Sequence, residues 1–265
     1  MLRLSVSELS TFDWTFEEDV LHYHGQGFDA IGIWLPKLRS FGVDKGMEML
    51  QEYDLGISSL QWIGGFTGTE GRSYRDALYE GFDTIQLAAD IGVETVVVVT
   101  GGRGGHTIRH SERIVKRALA DLAEAAQAVG VQLALEPFHV GCANQFSIVN
   151  TIPHCLDLIS DVDNPHLGIV FDCYHLAQDP CIISGLERIV PFVRLVQLGD
   201  AKHAPLGEQN RCLLGHGRIP LARLITSFQQ YGYRGYYEIE VAGRDVEHLQ
   251  YEQILGQARN VASLW

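Results

Sequence analysis

"GIVFDCYHL" (Gly168–Leu176) begins as a strand for a dry core and ends in a carboxylate and an imidazole. Gly168 to Phe171 offer no polar side chain to either face. Such a run reads as a strand buried on both sides, the habit of parallel sheets covered by helices. Asp172 stops the run and His175 follows three residues later. A strand of this kind needs neighbours of the same kind. The sequence offers "LRLSV" (2–6), "AIGIW" (30–34), "ISSLQW" (57–62), "ETVVVVT" (94–100), "VQLALE" (131–136), "LGIVFD" (167–172), "VRLVQL" (193–198) and "YYEIEV" (236–241).

Helical patterns separate them, with apolar residues three to four apart. "DALYEGFDTIQLAADIG" (76–92) and "SERIVKRALADLAEAAQAVG" (111–130) each end on a glycine suited to a C-cap. "DVEHLQYEQILGQARNVASLW" (245–265) supplies a last helix. Eight strand-then-helix units predict an α/β fold, a (β/α)8 TIM barrel in one domain over residues 1–265. A doubly wound sheet is the rival, because periodicity does not show whether the sheet closes.

The composition excludes several classes. The 265 residues carry a net charge of -13, against a general nucleic-acid binder, which needs a basic footprint. Apolar runs such as "VVVV" (96–99) are far short of a membrane span, and "MLRLSVSELS" has no signal-peptide pattern. Five cysteines without a CxxC pair suit a reducing compartment, so a cytoplasmic protein is expected. "TGGRGGHT" (100–107) lacks the GK[ST] of a P-loop and reads as a flexible loop. His106 and His110 are four apart without the glutamate of HExxH. Cys173, pointing away from Asp172, reads as core filler.

In such a barrel, chemistry sits where strands end. Strand five ends at Glu136, strand six at Asp172, strand seven carries Gln197, and strand eight carries Glu238 and Glu240. The last two share one side of the strand, with Glu240 nearer the mouth. Three carboxylates and an amide oxygen make a hard ligand set for Mn2+ or Mg2+, poor for structural zinc. Trp34 and Trp62 end strands two and three, and Trp14 follows strand one, as aromatic faces for a sugar or as rim packing.

"LALEPFH", "VFDCYH", "VQLGDAKH" and "GYRGYYEIEV" together resemble the xylose isomerase-like sugar phosphate isomerase/epimerase family. The resemblance spans essentially the whole chain. It implies a divalent cation on Glu136, Asp172, Gln197 and Glu240: Mn2+ first, with Mg2+ or Co2+ as substitutes, and no organic cofactor. Glutamine at 197, where many epimerases carry histidine, resembles the hydroxypyruvate isomerase-like and 3-dehydroshikimate dehydratase-like branches. The resemblance further implies Glu136 and Glu240 as the acid–base pair and His175 as a contact to substrate oxygen. His203 stands where epimerases often place an arginine, a role Arg211 could take instead. Gly215 and Gly217 would let that loop bend close to a ligand. His139 and His216 are further candidates for the pocket.

The implied chemistry is proton abstraction next to a carbonyl, through a metal-stabilised enediolate of a sugar, keto-sugar or cyclitol. Reprotonation makes an isomerase or epimerase; loss of a β-hydroxyl makes a lyase of the inosose or 3-dehydroshikimate dehydratase type. The expected partner is a small carbohydrate or polyol, with no nucleic acid and no membrane. A homo-oligomer is compatible, although no interface signature is visible. The endonuclease branch of the barrel family is disfavoured by charge, and a non-catalytic barrel by the intact Glu136, Asp172 and Glu240.

Overall fold

A computed structural model describes the chain apart from Met1, Glu70, Pro180, Glu208 and the side chains of Ala143 and Asn144. Eight parallel strands close on themselves in sequence order: β1 (Leu4–Ser7), β2 (Ala30–Trp34), β3 (Gly56–Gly64), β4 (Thr95–Val99), β5 (Gln132–Leu135), β6 (Leu167–Asp172), β7 (Val193–Leu198) and β8 (Tyr237–Ile239). β8 pairs with β1, so the sheet is a barrel and the doubly wound alternative falls. The chain forms a single TIM-barrel domain. Among the described residues, no helix is long and apolar enough to cross a membrane.

The period-2 alternation of each strand decides what lines the barrel. Val96, Val98, Leu133, Leu135, Ile169, Phe171, Val196 and Leu198 join the large cluster shared with the surrounding helices. Val97, Val99, Ala134, Val170 and Leu195 form a separate small cluster inside the barrel. Continuing each inner series by two residues reaches Glu136, Asp172 and Gln197. The strands that keep a dry core below thus deliver polar groups above.

The inner face is not uniform. β1, β2 and β3 turn Ser5, Ser7, Gly32, Ser59 and Gln61 toward the interior, all small or polar and, where they carry side chains, buried. The apolar half is supplied by β4 to β7. This asymmetry leaves room on one side for a long polar side chain from β8.

Helix ends follow their capping chemistry. Ile108–Val129 starts at Thr107, whose side chain accepts from the His110 N–H, and stops at Gly130 with φ 79°. Tyr74–Asp90 opens on a capping box of Ser73 and Asp76. The last helix begins at Tyr251, six residues later than its pattern suggests. Asp245 is engaged elsewhere: it takes Lys202 at 2.8 Å and Asn210 at 3.1 Å, tying the chain into a turn that precedes the helix.

Candidate active site

Glu136 and Glu240 each lie one residue beyond their strand, but the ladder continues under them. The Glu136 N–H donates to the Val98 carbonyl at 3.0 Å and the Glu240 N–H to the Leu198 carbonyl at 3.1 Å. Asp172 pairs with Gln197, and Gln197 with Glu238, across neighbouring strands. Regular backbone therefore sets these five positions without help from loops. All five side chains are buried, Glu240 the most exposed at 7%.

Arg211 is the group that gathers them. Its Nη2 donates to Asp172 Oδ2 at 2.5 Å and lies 3.0 Å from Glu240 Oε1. Nη1 donates to Gln209. The guanidinium packs over the Tyr174 ring at 4.5 Å, and a Cβ on Gly199 would stand only 2.9 Å from its Nε. The loop carrying it is fixed by Asp200, which is buried and accepts backbone N–H groups of Ala201, Gly215, Gly217 and Ile219 at 2.8–3.1 Å. A Cβ at Gly217 would lie 2.1 Å from Asp200 Oδ1, so glycine is required there for this approach.

One guanidinium faces several carboxylates, and their proton affinities show the imbalance. Burial, then the charges of Glu240 and Asp172, push the Glu136 carboxyl well above its ordinary range, with Arg211 opposing. Burial raises Glu240 to about 7 despite the opposing Arg211. Burial also raises Glu238, and its hydrogen bonds pull it back.

His175 is buried, and burial lowers its pKa to about 3, so the ring is neutral. Its Nδ1 accepts the His139 backbone N–H at 3.3 Å, which places the ring hydrogen on Nε2. Nε2 has no hydrogen-bond partner, Asp172 Oδ2 being 3.7 Å away. The ring lies 4.3 Å from that of Phe138.

The chemistry of the donors fits a hard divalent cation. Ligand atoms of Glu136, Asp172 and His175 lie within 4.8 Å of one another; with hydrogen on Nε2 and Nδ1 already accepting, the two carboxylates are the members of this group free to hold a cation. The amide oxygen of Gln197 is buried and unpartnered. Four buried carboxylates against one bridging guanidinium leave negative charge that a cation would offset.

A cavity of about 570 Å3 opens over this cluster. Glu136, Glu240, Arg211 and Gln61 line its polar side; Trp62, Phe138 and Phe146 line its apolar side, the two phenylalanines stacked at 5.5 Å. Trp34 is elsewhere: it packs on Phe12 at 4.8 Å and lines a separate cleft with Trp14 and Lys37. The cause is local. The Trp34 N–H is held by Glu8 at 2.6 Å, within a buried network in which Lys37 donates to Asp19 at 2.7 Å. His203 is exposed and does not line the cavity. His139 lines a second cavity of about 450 Å3 behind His175. His216 is exposed, in the loop that Asp200 anchors.

Some groups escape a reading of strand ends. Gln61 is visible in hindsight as the polar partner of Ser59 at period two. Asp200 and Gln209 carry no local signal beyond the glycines that follow.

The xylose isomerase-like TIM barrel model matches residues 23–262, and the chain belongs to that family. It is 23% identical over 257 residues to an inosose isomerase of Halalkalibacterium halodurans, covering 92% of this chain and 88% of that protein. It is 26% identical over 235 residues to a fructoselysine 3-epimerase of Escherichia coli O157:H7, covering 81% of each. It is 26% identical over 234 residues to a 3-dehydroshikimate dehydratase of Pseudomonas aeruginosa, covering 85% of this chain but 33% of that protein. Among solved structures it resembles protein SMc04130 of Sinorhizobium meliloti 1021, with TM-score 0.89, 23% identity and coverage of 99% and 98%. It also resembles the IOLI protein with a bound zinc atom, with TM-score 0.85, 19% identity and coverage of 98% and 96%.

Proposed function

We propose that this protein is a divalent-metal-dependent isomerase or epimerase of an uncharged keto-sugar or cyclitol, acting by proton transfer at the carbon next to a carbonyl. The observation that carries this reading is the buried acid cluster at the ends of β5 to β8, open to a cavity with one apolar wall. Glu136, Asp172, Gln197 and Glu240 would hold the cation; their oxygens suit Mn2+ or Mg2+, and the family resemblance puts Mn2+ first. When bound, the cation supplies Lewis-acid polarisation of the carbonyl and its neighbouring hydroxyl.

The protein's own groups do the rest. Glu136 takes the α-proton, and Glu240 returns a proton to the opposite face or to the next carbon. Both carboxyl groups line the cavity where the substrate would lie, which suits transfer in both directions. His175 offers its Nε2–H to a substrate oxygen, since Nδ1 is already an acceptor. Phe138, Phe146 and Trp62 cover the C–H face of the ring and exclude water.

The uncharged substrate follows from the lining. Arg211 is the cation among the described lining residues, and both its terminal nitrogens are engaged by Gln209, Asp172 and Glu240. A phosphate would meet carboxylates here instead of a cationic cradle. Five free cysteines support a cytoplasmic location.

A lyase is the second reading, and Gln197 together with the likeness to a 3-dehydroshikimate dehydratase favours it. One experiment separates the two. Metal-loaded protein is incubated in deuterium oxide with a panel of keto-sugars, keto-cyclitols and 3-dehydroshikimate. Solvent deuterium at the α-carbon with an isomeric product supports the isomerase. Stoichiometric water loss supports the lyase. Glu136→Gln slows exchange at least 100-fold if Glu136 is the base; an unchanged rate removes it from the mechanism.

A further inference from the structure

Glu238 lies two residues before Glu240, on the same side of β8 and deeper in the barrel. Its carboxylate accepts four hydrogen bonds. Ser58 Oγ at 2.6 Å and Ser59 Oγ at 2.8 Å donate to Oε2, while Gln61 Nε2 at 2.7 Å and Gln197 Nε2 at 3.1 Å donate to Oε1. Four donors fill the acceptor capacity of a carboxylate, leaving no lone pair for a ligand.

The barrel is shaped around this side chain. β2 and β3 slip in register between Ile31 and Gly32, whose partners are Ile57 and Ser59. Ser58 is the extra residue of that bulge, which lets two consecutive serines reach one oxygen. Gly32 makes the space: a Cβ there would lie 2.3 Å from Glu238 Oε2.

The consequence falls on Gln197. Its Nε2 donates to Glu238 Oε1 and, at 2.9 Å, to Glu240 Oε2. A reversed amide would set its oxygen against two carboxylates. Both amide hydrogens are thereby committed, and Oε1 is the atom left without a partner.

We propose that Glu238, held by Ser58, Ser59 and Gln61 against Gly32, is a positioning residue that locks the Gln197 amide with its nitrogen inward and its oxygen free for the site. This rests on the metal-dependent reading for its consequence, cation affinity, but not for the orientation itself. Partners behind a ligand that fix its orientation typically change metal affinity 10- to 100-fold when removed. Glutamine suits such a place because one end donates while the other accepts.

The test has two readouts. The first needs no metal: the side-chain amide of Gln197 is assigned in 15N spectra by its loss in Gln197→Ala, and hydrogen exchange is followed in chelator. Wild type shows a protected NH2 pair. Glu238→Leu exposes it, and Glu238→Gln, which keeps one acceptor oxygen, preserves it. An unprotected pair in wild type overturns the proposal. The second is Mn2+ titration by calorimetry. Glu238→Leu weakens binding about 10- to 100-fold in the wild-type background and has no further effect on Gln197→Ala. Equal losses in both backgrounds overturn the proposal, since Glu238 would then not act through Gln197. Wild type that binds no Mn2+ but protects the amide sinks the metal reading and leaves the orienting role standing.

Discussion

Replacing Arg211 by methionine removes the guanidinium that bridges Asp172 and Glu240 while filling much of its volume. Its Nη2 is 2.5 Å from one carboxylate and 3.0 Å from the other, and the side chain is buried. Deleting one member of a buried ion pair costs about 3–5 kcal/mol, because the survivor stays charged and dry. Two survivors are left here, so the upper value, about 5 kcal/mol, is the ceiling expected at pH 8 in chelator, lowered to the extent that Glu240, no longer opposed by Arg211, takes up a proton. For a chain of this size each kcal/mol moves the melting temperature by about 2–4 °C, which gives a drop of about 10–20 °C. Lowering the pH toward 5 shrinks the drop, since Glu240, already raised to about 7, then takes up a proton. A cation at 100 times its dissociation constant adds about 2.7 kcal/mol to wild type, and more to the variant, where it also replaces the missing charge. Arg211→Lys keeps the charge without the planar fork and falls between. The assay is scanning calorimetry with and without Mn2+ at pH 5 and 8. A drop below about 3 °C in chelator at pH 8, or one that does not change with pH, refutes the assignment of Arg211 as the charge that holds the cluster.

His175→Gln tests the buried neutral ring. Below the ordinary 6.5 the unfolded histidine takes a proton that the native ring, lowered to about 3, refuses. Wild type therefore loses about 1.4 kcal/mol per pH unit as pH falls through that window, and the variant does not. Urea unfolding in chelator at pH 7, 6 and 5 should show the gap between them narrowing; a constant gap refutes a neutral, dry His175. Trp62→Ala should raise KM roughly 3- to 10-fold through lost aromatic contact, while Trp34→Ala, in another cleft, changes it less than about 2-fold. Asp200→Ala strips the acceptor from four backbone N–H groups, costing about 3 kcal/mol or more, and limited proteolysis should cut first within residues 202–218. Cutting elsewhere first would show that Asp200 does not hold that loop.

The legibility of this protein in its sequence follows the origin of each residue's position. Strand residues obey period two, so eight short apolar runs suffice for the barrel, and the inner series of β5 to β8 lead directly to Glu136, Asp172, Gln197 and Glu240. Strand limits shift by one or two residues because pairing depends on neighbours that a single run does not reveal. β3, for example, extends to Gly64, while β8 stops at Ile239. Residues placed by loops are harder. Arg211 and His203 stand in one connection, yet Arg211 reaches the carboxylates and His203 faces solvent. The difference is made by Asp200, which folds the connection back through hydrogen bonds to residues up to 19 positions away.

Trp34 shows the same limit at a strand end. Its backbone is where β2 stops, but Glu8, arriving from the connection after β1, holds its N–H, and its ring packs on Phe12 from that same connection. Glu238 shows the converse. Its place on β8 is readable, but its role depends on a bulge in β3 and a glycine in β2, two strands met only after the barrel closes. The site thus divides by physics: what one strand's alternation determines can be read locally, and what closure brings together cannot. The proposed proton-transfer pair, Glu136 and Glu240, belongs to the first group, and the groups proposed to orient and charge-balance it belong to the second. Substitutions at Glu136 should therefore change the rate, while those at Glu238, Gly32 or Asp200 change how well the same machinery is held.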